Sequence, residues 1–171
     1  MNAPHSEQDM LQVWMACLVD KFQEVSASAL GIESCAVTAS DGGGVKGELG
    51  GFIPMVGEDT AVQIAVISSE NNCRDLSALL LGMEPEEASE LSEEDIDDGI
   101  GEFMNIIAGS MKTEMVQYDS STKLGLPFIV HGWVAPGSHT MQSFKKINCG
   151  ELTFTLMVLS SVNKMATKAV A

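Results

Sequence analysis

Apolar positions recur along this chain at two different periods. In residues 7–30, Leu11, Met15, Leu18, Phe22 and Val25 return every three or four positions, the spacing of one helix face, and Gly31 supplies a stop. SCAVTAS, VKGELGGFIPMV and TAVQIAVISS then alternate and favour β-branched residues, which predicts three strands. DGGG at 41–44 and GED at 57–59 read as the turns between them. No GK[ST] follows DGGG and no helix opens after it, so it is a turn rather than a phosphate-binding loop.

A helix is expected over about 71–81, capped by Ser69 and ended by Gly82. EPEEASEL reads as an acidic connector, too charged for a core. Ser92 with Asp95 three residues on forms a variant capping box, and Glu93, Glu94 and Asp95 suit the positive end of a helix dipole. That helix is predicted to run to about Gln117. LPFIVHGWV and ELTFTLMVLSS follow as two further strands, with the polar PGSHTMQSFKKINCG between them and VNKMATKAVA as a frayed tail. The order is helix, three strands, two helices and at least two more strands. Short strand connections then predict one α+β domain over residues 1–171, an antiparallel sheet with long amphipathic helices packed over it.

Composition narrows the function. The chain carries 24 acids against 9 bases, a formal net charge of −15, which argues against nucleic acid and anionic lipid as partners. Ten of those acids lie between Glu84 and Glu102, so the charge is local. Only 5% of residues are aromatic, so the core is aliphatic, with 11 Met as adaptable filler. No apolar run approaches the roughly 20 residues of a membrane span, and the N-terminus MNAPHSEQDM has no signal-peptide pattern, so a cytoplasmic protein is expected. Cys17, Cys35, Cys73 and Cys149 are scattered without a CxxC, and are expected to be reduced structural thiols. His5, His131 and His139 form no metal motif, and His131 reads as a structural or exposed histidine. Lys145 and Lys146 read as a solvated basic pair in a loop.

The stretch DDGIGEFMNIIAGSMK, residues 97–112, holds the candidate chemistry. At about 100° per residue, Asp98, Glu102, Asn105, Gly109 and Lys112 fall within roughly an 80° arc. Ile96, Ile100, Phe103, Ile107 and Met111 gather on the opposite side, and Met104, Met111 and Met115 belong to the core. A solvated face is the ordinary reading of such an arc. Yet an exposed helix centre is better served by Glu, Lys, Gln or Ala than by Asn, and Gly109 costs up to about 1 kcal/mol relative to Ala. A carboxylate, an amide one turn on and a bare patch resemble a docking face with a reactive centre.

The pattern Asp98-x3-Glu102-x2-Asn105, within GEFMNIIAGSMKTE, resembles the active-site helix of the CheC/CheX/FliY family of bacterial chemotaxis phosphatases. Its single copy and the chain length are most similar to the CheX branch. DLSALLLGMEP before the acidic linker and LPFIVHG after the helix also resemble CheX-type sequence, so the likeness covers about residues 8–160. The resemblance implies a CheC-like fold and, as substrate, the phosphoryl-aspartate of a CheY-like receiver domain. It implies that Asn105 orients the attacking water and that Glu102 salt-bridges the receiver's active-site lysine. Asp98, Gly109 and Lys112 are then expected to face the partner. No cofactor of the chain's own is expected, since the receiver brings Mg²⁺.

CheC-type proteins carry the motif on two helices. Here the first helix offers Asp20-x3-Glu24 but has Ala27 where an amide would stand. One active helix per chain follows, and a homodimer paired through the terminal strands or LPFIVHGWV would supply two sites. The same face could instead dock a receiver without hastening hydrolysis, as an adaptor, or the chain could be a purely structural dimerisation domain.

Overall fold

Serine hydroxyls start the three α-helices of the described residues by the same device. Ser6, Ser69 and Ser92 accept the backbone N–H of Asp9, Asn72 and Asp95, and Asp95 returns a bond to the Ser92 N–H at 3.0 Å. The structure, a computed structural model, describes residues 6–40, 48–58, 61–134, 137 and 140–161. In chain order it holds α1 (Glu7–Ala29), β1 (Cys35–Ala39), β2 (Leu49–Val56), β3 (Ala61–Ser68) and α2 (Glu70–Leu80). A 3-10 helix, Pro85–Glu90, leads into α3 (Glu93–Met115). Then come β4 (Lys123–Leu124), β5 (Phe128–His131), β6 (Thr140–Cys149) and β7 (Leu152–Ser161).

The strands form a single antiparallel sheet in the order β1-β6-β7-β3-β2. The outer edge of β2 is shared: β4 pairs with Met55 and Val56, β5 with Leu49 to Phe52. The three helices lie on one side, and the main core is the layer between, where Leu11, Leu18, Phe22, Ile100, Phe103, Ile107 and Met111 meet Ile53, Ile64, Phe154 and Leu156. Phe22 stands edge-on to Phe103 with ring centroids 5.4 Å apart, which joins the two long helices. The fold is therefore the α+β arrangement that the periodicities predict.

Two glycines set how closely α3 can approach. A Cβ on Gly51 of β2 would stand 2.6 Å from Ile100 Cγ2 and 2.7 Å from Met104 Cγ, so only a bare backbone admits the helix there. A Cβ on Gly99 would stand 2.4 Å from the Ser77 hydroxyl of α2, and Ser77 in turn donates to the Ile96 carbonyl at 3.1 Å. Gly99, one of three glycines in the stretch 97–112, is thereby explained by packing and not by function.

Several expectations need correction. Lys145 and Lys146 lie within β6, not in a loop: the polar-looking TMQSFKKINC alternates, and its inward members Ser143, Ile147 and Cys149 are buried. EPEEASEL is not a bare connector, because its 3-10 helix turns Ala88 into the interior. Cys35 and Cys149 are not free thiols. They face each other directly across the β1–β6 ladder, with Cα atoms 4.2 Å apart, and form a disulfide. Their sequence separation of 114 hides a pairing that only the sheet order creates. Cys17 and Cys73 are free and buried as expected, their thiols pushed up to about 12 chiefly by desolvation. His5, His139, the DGGG turn, part of GED and the tail VNKMATKAVA lie outside the described residues.

Candidate functional site

The outer face of α3 begins at a well-capped end. Ser92 donates to Asp95 from its hydroxyl at 2.6 Å and from its backbone N–H, and these bonds hold the Asp95 carboxyl below the usual aspartate value. The buried stripe Ile96, Ile100, Phe103, Ile107 and Met111 fixes the rotation of the helix against the sheet. Asp98, Glu102 and Asn105 therefore point away from the core, and all three are exposed. Among the described residues, no side chain or backbone group binds any of them by hydrogen bond or ion pair. An amide and two carboxylates are held by their helix alone and left uncommitted.

These side chains form one wall of an open groove of about 470 Å³. Asp98, Glu102 and Asn105 line it together with Asp97 and the bare backbone of Gly101, while Pro127 and Ile129 supply the opposite wall. That second wall is held in place through β2. The Gly125 N–H donates to the Pro54 carbonyl at 2.8 Å, and β5 then pairs with Leu49 to Phe52. A Cβ added at Gly101 or Gly109 meets nothing within 4 Å, so both leave open space where a partner can approach the helix backbone. Gly109 and Lys112 follow Asn105 along the same stripe, but they do not line the groove.

Chemically, the groove presents an acidic rim and a neutral amide beside an apolar wall. It can attract a cationic side chain through Glu102 and Asp98, and Asn105 can both donate to and accept from a water. Among the described residues, no group of three or more His, Cys, Asp or Glu is placed to hold a metal ion. Nor, among them, is any helix long and apolar enough to cross a membrane.

Sequence reasoning missed Asp97, Gly101, Pro127 and Ile129 as groove residues. Asp97 lies about 100° from Asp98 around the helix and so falls outside the chosen arc. Gly101 lies on the same helix just beyond the edge of that arc, and Pro127 and Ile129 were legible only as alternation: with His131 they share one side of an extended segment, and that side turns toward α3.

The family model of the chemotaxis phosphatase CheX matches residues 45–149, more than half of the chain. The chain belongs to the CheX family. Solved structures agree at the level of fold. A CheC-like superfamily protein from Shewanella sp. PV-4 superposes with a TM-score of 0.71 at 19% identity, covering 86% of this chain and 97% of that one. The chemotaxis protein CheX from Desulfovibrio desulfuricans gives 0.71 at 14% identity, covering 87% and 99%. CheX from Borrelia burgdorferi, solved in a complex with CheY, BeF3 and Mg²⁺, gives 0.67 at 15% identity, covering 86% and 96%. No curated protein sequence matches the chain. The matched span 45–149 contains the whole of α3 and β5, so both walls of the groove fall within the family's domain.

Proposed function

We propose that this chain hydrolyses the phosphoryl-aspartate of a CheY-like receiver domain, with α3 as the helix that enters the receiver's active site. The observation that carries the reading is the state of Asn105 and Glu102: exposed, without a partner among the described residues, and one turn apart on the rim of an open groove. An acyl phosphate is already a reactive electrophile, and Mg²⁺ belongs to the receiver. The phosphatase need only place a water in line with the phosphorus, which is positioning rather than acid–base chemistry. Asn105 does this without repelling the phosphoryl oxygens, as a carboxylate there would. Glu102 pairs with the receiver's lysine and sets the register, and Asp98 adds to the acidic rim that attracts it. Gly101 and Gly109 let the receiver approach the helix, and Lys112 contacts its outer surface. The chain works in the cytoplasm as a homodimer, each copy bringing one active helix; light scattering of the purified protein at twice the chain mass is the expected result.

The test is the lifetime of phosphorylated receivers from the same cell, timed with and without the protein. Asn105→Ala is expected to slow hydrolysis by roughly 10²-fold while binding to a BeF3-activated receiver persists. A protein that binds the receiver but leaves its lifetime unchanged is an adaptor, and the phosphatase reading then fails.

A further inference from the structure

β5 is an insecure wall. It has four residues, lies at a sheet edge and is paired through its backbone to β2. Its side chains alternate: Phe128 stacks on Phe52 on the face away from the helices, while Ile129 packs into the main core and, with Pro127, lines the groove. His131 continues the groove-side series and reaches α3. Its Nε2 stands 3.0 Å from Oδ2 of Asp97, and its Nδ1 stands 3.7 Å from Oε1 of Glu93. A carboxylate can only accept, so Nε2 carries the proton in that bond. The other oxygen of Asp97, Oδ1, is buried with no partner among the described residues. Asp97 is thus a carboxylate whose visible compensation is His131, and it lines the groove beside Asp98.

We propose that His131 is a positioning residue: it clasps β5 to the first turns of α3, keeps Pro127 and Ile129 at their distance from Glu102 and Asn105, and makes receiver docking depend on pH. The docking half rests on the phosphatase reading; the clasp itself does not.

The charges around the imidazole agree on the sign. Glu93 and Asp97 face it from α3, and Glu70 lines the same small cleft from the start of α2. Glu70 is itself paired with Arg74 at 3.0 Å, and its N–H is held by Glu48, whose carbonyl accepts the N–H of Gly132 beside the histidine. The hydrogen bond to Asp97 is the largest influence and raises His131 above the ordinary histidine value of 6.5; desolvation opposes it, and the Asp97, Glu93 and Glu70 charges each add a smaller upward push. A group whose pKa is raised by folding contributes its full stabilisation below its unfolded value and loses it as pH climbs through the folded value. The clasp is therefore tightest below about 6.5 and loosens above the raised value.

The first test needs no receiver. Ring resonances of His131 in the free protein are expected to titrate above 6.5, and Asp97→Asn is expected to return them toward it. Protection of the Val130 N–H, measured against its intrinsic exchange rate at each pH, is expected to fall as pH passes that titration, and to be low at every pH in His131→Leu. An ordinary titration in the wild type, or β5 exchange that ignores the His131→Leu change, overturns the clasp. The second test uses the phosphorylated receiver. Raising the pH through the titration is expected to raise the half-saturating receiver concentration by about fivefold, with turnover at saturation unchanged. His131→Leu should show the weak value at all pH. His131→Gln keeps a neutral N–H donor without the charge, and should dock as the wild type does at high pH, at every pH. A chain that clasps as described yet shortens no receiver's lifetime overturns the phosphatase reading and spares the clasp. A receiver-active chain whose half-saturation is indifferent to pH and to His131→Leu overturns the docking half.

Discussion

α1 and α3 are both 23 residues long, both serine-capped, and both carry an aspartate and a glutamate four residues apart on an outward face. They spend those carboxylates differently. On α1, Lys21 lies 3.1 Å from Asp20 and 2.9 Å from Glu24, and it also reaches Glu114 of α3 at 3.3 Å. Bonds from Glu24 and then Asp20 hold the Lys21 ammonium well above the usual lysine range, so it stays charged and keeps both acids occupied. Three residues beyond Glu24 comes Ala27, which offers nothing to a water. On α3, Asp98 and Glu102 have no such cation among the described residues, and Asn105 stands where Ala27 does. Matching acid spacing makes an internally paired surface on one helix and an uncommitted one on the other; the local cation and the residue one turn on set the difference.

Beneath the surface the helices are equals, and the largest expected effects should not tell them apart. Phe22 and Phe103 are both fully buried and touch edge-on, and Phe22 also packs against Phe154. Phe22→Ala and Phe103→Ala are each expected to cost about 3–5 kcal/mol of unfolding free energy. Denaturant titration checks this, and the double variant should lose less than the sum, because the two rings share a contact. A tolerant Phe22 would mean that α1 is not part of the common core.

The outward acids should separate them. On the proposed docking, where a pair between Glu102 and the receiver's lysine would be desolvated, Glu102→Ala is expected to weaken receiver binding by about 1–3 kcal/mol. Glu24→Ala removes an exposed partner of Lys21, and should cost stability at most about 1 kcal/mol with no change in docking. Adding Ala27→Asn to the Asn105→Ala variant should restore no hydrolysis, because Lys21 still occupies the flanking acids. Titration calorimetry against a BeF3-activated receiver, with phosphate release alongside, reads all three. Equal docking losses from Glu24→Ala and Glu102→Ala would place the interface across both helices.

The fold was legible because its periodicities are strong. A stripe such as Ile96, Ile100, Phe103, Ile107 and Met111 admits one orientation, and serine caps mark the ends. β6 was not legible as a strand, since Gln142, Lys145, Lys146 and Asn148 supply a polar pattern that reads as a loop until the sheet order places Ile147 and Cys149 inward. The Cys35–Cys149 pair was hidden for the same reason: a non-local register leaves no trace in spacing. At the site, the α3 wall could be read from one helix because its members are a turn apart. The β5 wall could not, because what brings Pro127 and Ile129 to Glu102 is the pairing of β5 with β2, a contact between segments some 80 residues apart in sequence.

The smallest effect discriminates most finely between packing and docking, because it asks the glycines of α3 to disagree. A Cβ at Gly99 meets Ser77 Oγ at 2.4 Å and Cα at 3.1 Å, so alanine there must push α2 away. A Cβ at Gly109 meets nothing within 4 Å. Gly109→Ala removes a helix-interior glycine at no steric cost and is expected to stabilise the free protein by about 0.5–1 kcal/mol. Gly99→Ala should move the other way, as overpacking outweighs the propensity gain. If the bare patch at Gly109 exists for a partner's close approach, the gain in thermal midpoint will come with a rise in half-saturating receiver concentration, while turnover at saturation holds. A stabilised Gly109→Ala that docks as well as the wild type would confine the interface to the groove between Asp98 and Asn105, and leave the glycine as a helix defect that packing never required.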